Sequence, residues 1–328
     1  MTHYQTLEVS PKASQEVIKA AYKALVLFWH PDHKKSNKNV IDKFNKELNE
    51  AYRVLSDPDE RQKYDQSLTV PNSIGNYEVI EHIADGGYGS TYKAKHKLTD
   101  KFVCIKEAGG TGPEYDAILI KETQAIWDLK HPSLPVMHDL VRLEDGGLAL
   151  IQSFIPGMTL EKVIEKVKKI DPENVAWMID RLLNGLSYLH DHGVLHGDLK
   201  PQNIIVEQEY HTVTMVDFGL ATIKKMSNKG YTPLFSPPEQ IAGKQLLPAS
   251  DLYSLGMTAI FALTGELKAV ENRQVPLNVP EPMFEFIKKL TKPNVLDRFQ
   301  HAPWHEFKKV RVESFGKEMS GMKKILGL

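Results

Sequence analysis

One cysteine, Cys104, stands among 328 residues. No disulfide can form within the chain, and such sparse thiol usage fits a reducing compartment. No apolar run approaches the ~20 residues of a membrane span, and the start MTHYQTLEVS has no basic head leading into an apolar stretch. Charge of one sign is also lacking: 41 Lys and Arg face 42 Asp and Glu, a formal net charge of −1. That balance gives no strongly basic surface of the kind non-specific nucleic-acid binding favours. The expectation is a cytoplasmic protein with no transmembrane segment and no nucleic-acid partner. Glycine is absent from residues 1–68, so all 21 glycines fall later and the first zone is composed for helix.

The rest is ordinary for a folded chain, with 41% hydrophobic and 25% charged residues. The length suits two or three domains at ~100–200 residues each. Residues 69–76, TVPNSIGN, gather Pro, Asn, Ser and Gly, the residues of turns and breaks. A linker is placed there, between a first domain at residues 1–68 and a second at 77–307, where Gly-rich turns and β-branched runs alternate with helical patterns. Residues 308–328 mix Lys with Val, Phe, Met, Ile and Leu at loosely helical spacing. They read as a basic, apolar, helical tail, either docked on its own domain or presented to a partner.

In the first zone Ser14 is an N-cap candidate, and Val17, Ala21, Leu25 and Phe28 recur every three or four residues up to Pro31. A second pattern through Phe44, Leu48, Ala51, Tyr52 and Leu55 ends before Pro58. Two helices joined by a polar loop predict a helical hairpin carrying His30, Pro31 and Asp32 at its end. HYQTLEVS, the HPD triplet and NEAYRVLSDPDERQKYD, at this spacing, resemble the J domain of DnaJ-type co-chaperones. The resemblance implies docking to a heat-shock chaperone of the seventy-kilodalton class and stimulation of its ATPase, with His30, Pro31 and Asp32 as the docking triplet. Asp32 offers a carboxylate to an arginine fork, and Lys19, Lys23, His33, Lys34 and Lys35 a cationic field to an acidic partner. Ala24 and Phe28 stand where many J domains carry basic residues. Neither a Gly/Phe-rich segment nor CxxC repeats follow, which predicts no client handling of the DnaJ kind.

From Tyr77, YEVIEHIADGGYGSTYKAKH reads as strand, Gly-rich turn, strand. Glycines let backbone N–H groups approach phosphates. In KFVCIKE, strand alternation puts Cys104 and Lys106 on one face and Ile105 on the other. A helical pattern, LIKETQAIWDLKHPSLP, carries Glu122 ahead of an HP break. VLHGDLKPQN at 194–203 gathers Asp198, Lys200 and Asn203, and MVDFGLA adds Asp217. In this order the segments resemble a serine/threonine protein kinase over residues 77–307. The implied fold is multidomain α+β, a small all-α J domain followed by a bilobal kinase fold.

The resemblance implies roles residue by residue. Ala84, Gly86, Gly89 and Thr91 align with the Gly-rich ATP loop, the first glycine and the valine being replaced. Lys106 would hold the α- and β-phosphates and pair with Glu122, in competition with Glu107 and Glu114. Cys104 and Gln152 would line the adenine site, Gln152 at the gatekeeper position, with the backbone of Ser153 and Ile155 against the base. Asp198 would accept the substrate hydroxyl proton, Lys200 would neutralise the transferring phosphate, and Asn203 and Asp217 would hold two Mg2+ ions. Thr232 stands at the substrate-site threonine, Glu239 should pair with Arg298, and Asp251 should anchor the catalytic loop. Gly197 replaces the arginine of the usual HRD, which predicts no control by activation-loop phosphorylation. The stretch from Gly265 to Pro282 is short for a substrate-side helix region. The expected activity is ATP- and Mg2+-dependent phosphorylation of Ser/Thr in proteins; the alternatives are a kinase-like scaffold acting as a co-chaperone adaptor, and a small-molecule kinase.

Overall fold

The computed structural model describes residues 3–10, 13–28, 38–67, 73–86, 89–144, 146–209, 211–218, 222–223 and 234–316. His30, Pro31, Asp32, Thr232 and residues 317–328 of the tail lie outside these. The chain divides into two compact units, residues 1–101 and 102–328, and the elements give the expected α+β class.

The first unit opens with α1 (His3–Thr6), α2 (Gln15–Phe28), α3 (Lys38–Ser56) and α4 (Pro58–Ser67). The Ser14 hydroxyl accepts the Val17 amide at 3.4 Å, the bond of an N-cap. The buried stripe of α2 runs through Ile18, fully buried, with Tyr22 and Leu25 partly buried, while Val17 is 50% exposed. The expected face is therefore one residue out at its start: Ile18 meets Tyr4, Leu7, Leu48, Ala51 and Leu55 in the core. Pro58 opens a further helix rather than only closing α3. The Asp57 carboxylate accepts the amides of Asp59 and Glu60, each at 2.9 Å, with proline at the first helical position where its missing N–H costs nothing. Arg61 reaches back to the Tyr4 hydroxyl at 2.8 Å and the Ala13 carbonyl at 2.9 Å. β1 (Ser73–Ile74), β2 (Tyr77–Gly86) and β3 (Gly89–His96) pair antiparallel in chain order. The register of β2 shifts between Val79 and Glu81 and again between His82 and Ala84.

The second unit begins with β4 (Phe102–Ala108), α5 (Pro113–Ile126), β5 (Met137–Arg142) and β6 (Leu148–Ser153). β6 lies between β4 and β5, all antiparallel, with Lys106 opposite Leu150 and Cys104 opposite Gln152. Then come β7 (Met158–Thr159), α6 (Leu160–Val167), α7 (Pro172–Asp191), β8 (Val194–Leu195), a 3-10 turn at Pro201–Asn203, β9 (Ile204–Glu207), β10 (Thr212–Met215) and β11 (Thr222–Ile223). β9 sits between β7 and β10, and β8 pairs with β11.

The helical remainder is α8 (Pro238–Ile241), α9 (Pro248–Thr264), α10 (Leu267–Glu271), α11 (Glu281–Leu290), a 3-10 turn at Val295–Asp297 and α12 (Trp304–Phe315). α7 and α9 are buried along nearly their whole length, with Trp177, Leu183, Leu186, Leu252 and Ile260 at 0% exposure. Each such side chain contributes roughly 1.5–3 kcal/mol by leaving water. α9 stops at Gly265, φ +70°, where a Cβ would run into the Lys168 carbonyl. Only glycine fits there without rearrangement. α12 crosses the tail boundary expected at residue 308: Phe307 is fully buried, Arg311 Nη1 is 2.9 Å from Asp180 Oδ2, and Trp304 Nε1 donates to Asp180 Oδ1 at 3.2 Å. Residues 308–315 thus dock on their own domain. Among the described residues no helix is long and apolar enough to cross a membrane.

Candidate active site

Val103 and Ile105 of β4 point into the core, at 5% and 0% exposure, so alternation turns Cys104 and Lys106 to the opposite face. Lys106 Nζ lies 2.7 Å from Glu122 Oε2 and 2.6 Å from Asp217 Oδ1. Glu114 is exposed at the start of α5, whereas Glu122, on the buried side of that helix, is 1% exposed. The other Glu122 oxygen accepts the Phe218 amide at 3.0 Å, and Phe218 is itself buried. One carboxylate therefore holds both the strand lysine and the backbone beside Asp217. Burial works to lower the Lys106 pKa, but Glu122 and Asp217 outweigh it, so its net direction is up and the ammonium persists. Burial pushes the Glu122 carboxyl up, against the pull of Lys106.

The loop after β8 forms the second half of the site. Lys200 Nζ lies 2.7 Å from Asp198 Oδ2. Asn203 Nδ2 donates to the Asp198 carbonyl at 2.9 Å and to its Oδ2 at 3.2 Å. The Val216 amide donates to the Asn203 carbonyl at 2.9 Å, linking this loop to the chain entering Asp217. Asp217 has φ +67°, an uncommon backbone state for a residue with a side chain. Asp251 of α9 accepts the amides of His196 and Gly197 at 3.0 and 2.9 Å and lies 2.9 Å from His190 Nε2. Burial acts to raise the Asp251 pKa, yet His190 and these donors hold it below the ordinary range. His196, fully buried, packs on the Phe218 ring at 4.7 Å, and burial lowers its pKa. Glu239 and Arg298 meet as a bidentate pair.

Around this centre, Gln152 is buried and its Nε2 lies 3.7 Å from the Cys104 sulfur. Burial raises the Cys104 thiol pKa, with Gln152 acting the other way. The Ser153 amide donates to Val136 O at 2.8 Å and its hydroxyl accepts the Val136 amide at 2.9 Å. Both the amide and the hydroxyl of Ser153 are thus engaged by Val136. Ile155 is half-buried just past β6.

In the first unit, Ala84 pairs with Thr91 and Gly86 with Gly89 across the hairpin, and Gly89 takes φ 141°. Between them Asp85 Oδ1 accepts the Ser90 hydroxyl at 2.7 Å and lies 2.9 Å from His82 Nε2. Burial raises the Asp85 pKa, but Ser90 and His82 bring it below its ordinary value.

Lys106, Glu122, Asp198, Lys200, Asn203 and Asp217 thus form one linked set in the second unit. The Lys106–Asp217 contact, the His196 platform and the Asp85 bridge were not among the sequence expectations. The first two had a signal in the HGD and DFG neighbourhoods; the bridge had none beyond an acidic residue in the turn.

Strands followed by helices, with a strand lysine, a helix glutamate and two loop aspartates in this arrangement, define the protein kinase class. A protein kinase domain model matches residues 77–310 and a DnaJ domain model residues 2–65. The chain belongs to the protein kinase domain family, with a DnaJ domain at its N-terminal side. It is 30% identical to Serine/threonine-protein kinase F of Synechocystis sp. over 282 residues, covering 74% of this chain and 56% of that protein. Over 207 residues it is 31% identical to Serine/threonine-protein kinase pkn3 of Myxococcus xanthus, covering 58% and 38%. Cyclin-dependent kinase 14 of Oryctolagus cuniculus is 27% identical over 257 residues, covering 69% and 54%. The chain spans about half the length of the curated relatives it matches, or less.

Proposed function

We propose that this chain is a serine/threonine protein kinase that transfers the ATP γ-phosphate to protein hydroxyls. Its J domain would dock a heat-shock chaperone of the seventy-kilodalton class and stimulate that partner's ATPase. The observation that carries the kinase reading is the linked set itself: Lys106 between Glu122 and Asp217, and Asp198 flanked by Lys200 and Asn203. Phosphoryl transfer asks mainly for positioning and for charge to meet charge. Asp198 accepts or orients the proton of the incoming hydroxyl, and Lys200 offers its ammonium to the transferring phosphate. Lys106, kept cationic by two carboxylates, holds the phosphates that stay behind.

Asn203 and Asp217 fit a magnesium ion by donor chemistry. With the Asn203 amide nitrogen on Asp198, its oxygen is the atom that can face a cation, and Asp217 adds a carboxylate. Hard oxygen donors in small number, completed by nucleotide phosphates and water, are what magnesium takes. When bound, the ion would neutralise phosphate charge.

The test crosses two variants. His30→Gln should abolish stimulation of a partner chaperone's ATPase and leave phosphorylation of a generic protein substrate nearly unchanged, and Asp198→Ala should do the reverse. Phosphoamino-acid analysis should give phosphoserine or phosphothreonine. Equal transfer by wild type and Asp198→Ala would overturn the kinase reading, and equal ATPase stimulation by wild type and His30→Gln the chaperone reading.

A further inference from the structure

Gln240 stands 43 residues beyond Gly197, yet its Nε2 donates to the Gly197 carbonyl at 2.7 Å from a side chain only 3% exposed. That carbonyl belongs to the peptide unit whose nitrogen is Asp198. A peptide unit is planar, so holding its oxygen fixes where the nitrogen and Cα of Asp198 lie, the anchor from which its side chain starts. The amide of the same unit makes a long 3.4 Å contact to His196 Nδ1. The Gln240 bond, at 2.7 Å, is the shorter of these two.

The neighbouring contacts close a ring. The Gly197 amide donates to Asp251 Oδ1 at 2.9 Å; Ser250, next in the chain, donates its hydroxyl to Glu239 Oε1 at 2.8 Å; and Glu239 is covalently next to Gln240. Arg298 clamps both oxygens of Glu239. Gly197 itself sits at φ +78°, a conformation that favours glycine, so the ring closes on the backbone without a side chain at position 197.

We propose that Gln240 is a positioning residue for Asp198, carrying the placement of residues 234–240 to the catalytic loop through one neutral hydrogen bond. This rests on the kinase reading above and assigns a fixed tether to that same site. An amide suits the task because it donates at any pH and adds no charge beside Asp251. A thioether of similar length cannot donate. A carboxylate would turn lone pairs toward the carbonyl, but once protonated it donates again.

Gln240→Met and Gln240→Glu separate this role from simple packing. In Gln240→Met, kcat should fall about tenfold with KM for ATP unchanged, the size expected when a buried acceptor loses its donor. Hydrogen exchange of the backbone across residues 194–203 should quicken by about the same factor. Gln240→Glu should show the same loss near about pH 8 and recover toward wild type near about pH 5.5, because burial keeps its acid protonated well above the ordinary carboxylate range.

The proposal is overturned if Gln240→Met matches wild type in exchange, if exchange quickens while kcat holds, or if Gln240→Glu shows no pH-dependent recovery. Exchange reads the tether without any chemistry. A wild type that transfers no phosphate would sink the kinase reading by itself, and unchanged exchange would sink the tether by itself.

Discussion

Arg298 grips Glu239 with both guanidinium arms, Nη1 to Oε1 at 2.7 Å and Nη2 to Oε2 at 2.9 Å, across 59 residues of sequence and with the arginine side chain wholly buried. Its other donations go to the carbonyls of Lys292, Pro293 and Ala249. Such a pair is costly to break because the remaining charge is left buried.

Glu239→Gln should therefore lower unfolding stability by about 3 kcal/mol near neutral pH. Burial acts to raise the Glu239 pKa, but Arg298 and Ser250 bring it below the ordinary 4.5. A depressed carboxylate stabilises the fold above its unfolded pKa, and that contribution fades as pH falls through the folded one. The gap between wild type and variant in a urea titration should hold down to about pH 5 and narrow below it. A gap that does not narrow in acid would contradict the assignment.

Gly197 places no cation in the catalytic loop, and Gln240 holds that loop with a neutral donor. Phosphatase-treated enzyme should thus transfer phosphate within about twofold of untreated enzyme, since there is no loop arginine for a phosphate to engage. Loss of most of the rate after treatment, read by initial velocities, would show a phosphate-dependent switch elsewhere.

Cys104 shares a strand face with Lys106 and has its thiol pKa raised by burial. At neutral pH little thiolate is present, so alkylation should be at least ~10-fold slower than for a free thiol and should accelerate toward alkaline pH. Bound ATP and magnesium should slow it further. Equal alkylation rates with and without nucleotide, by intact mass on the folded protein, would remove Cys104 from the nucleotide side.

Much of the site was legible because its residues sit in short motifs whose order implies spatial meeting: Lys106 on a strand, Glu122 on the next helix, and the loops of Asp198 and Asp217. Periodicity distinguished less well. Val17 and Ile18 are both apolar and adjacent, and only packing against Tyr4, Leu48 and Leu55 shows that Ile18 is the buried one. Composition marked residues 308–328 as a tail, yet α12 runs on to Phe315 because Asp180, far away in α7, supplies the partner for Arg311. Gln240 had no signal. A glutamine after PPE reads as a surface residue, and its meaning depends on a carbonyl 43 residues upstream.

The most direct measurement is single-turnover transfer of the ATP γ-phosphate by Asp217→Asn beside wild type, with thermal unfolding followed on both. The change is nearly isosteric, and Lys106 keeps Glu122 at 2.7 Å, so the fold should persist with a Tm within a few degrees. Loss of the carboxylate charge should weaken magnesium and phosphate handling together and reduce transfer by at least ~100-fold. Transfer at the wild-type rate in a folded Asp217→Asn protein would contradict the assignment of this site to phosphoryl transfer.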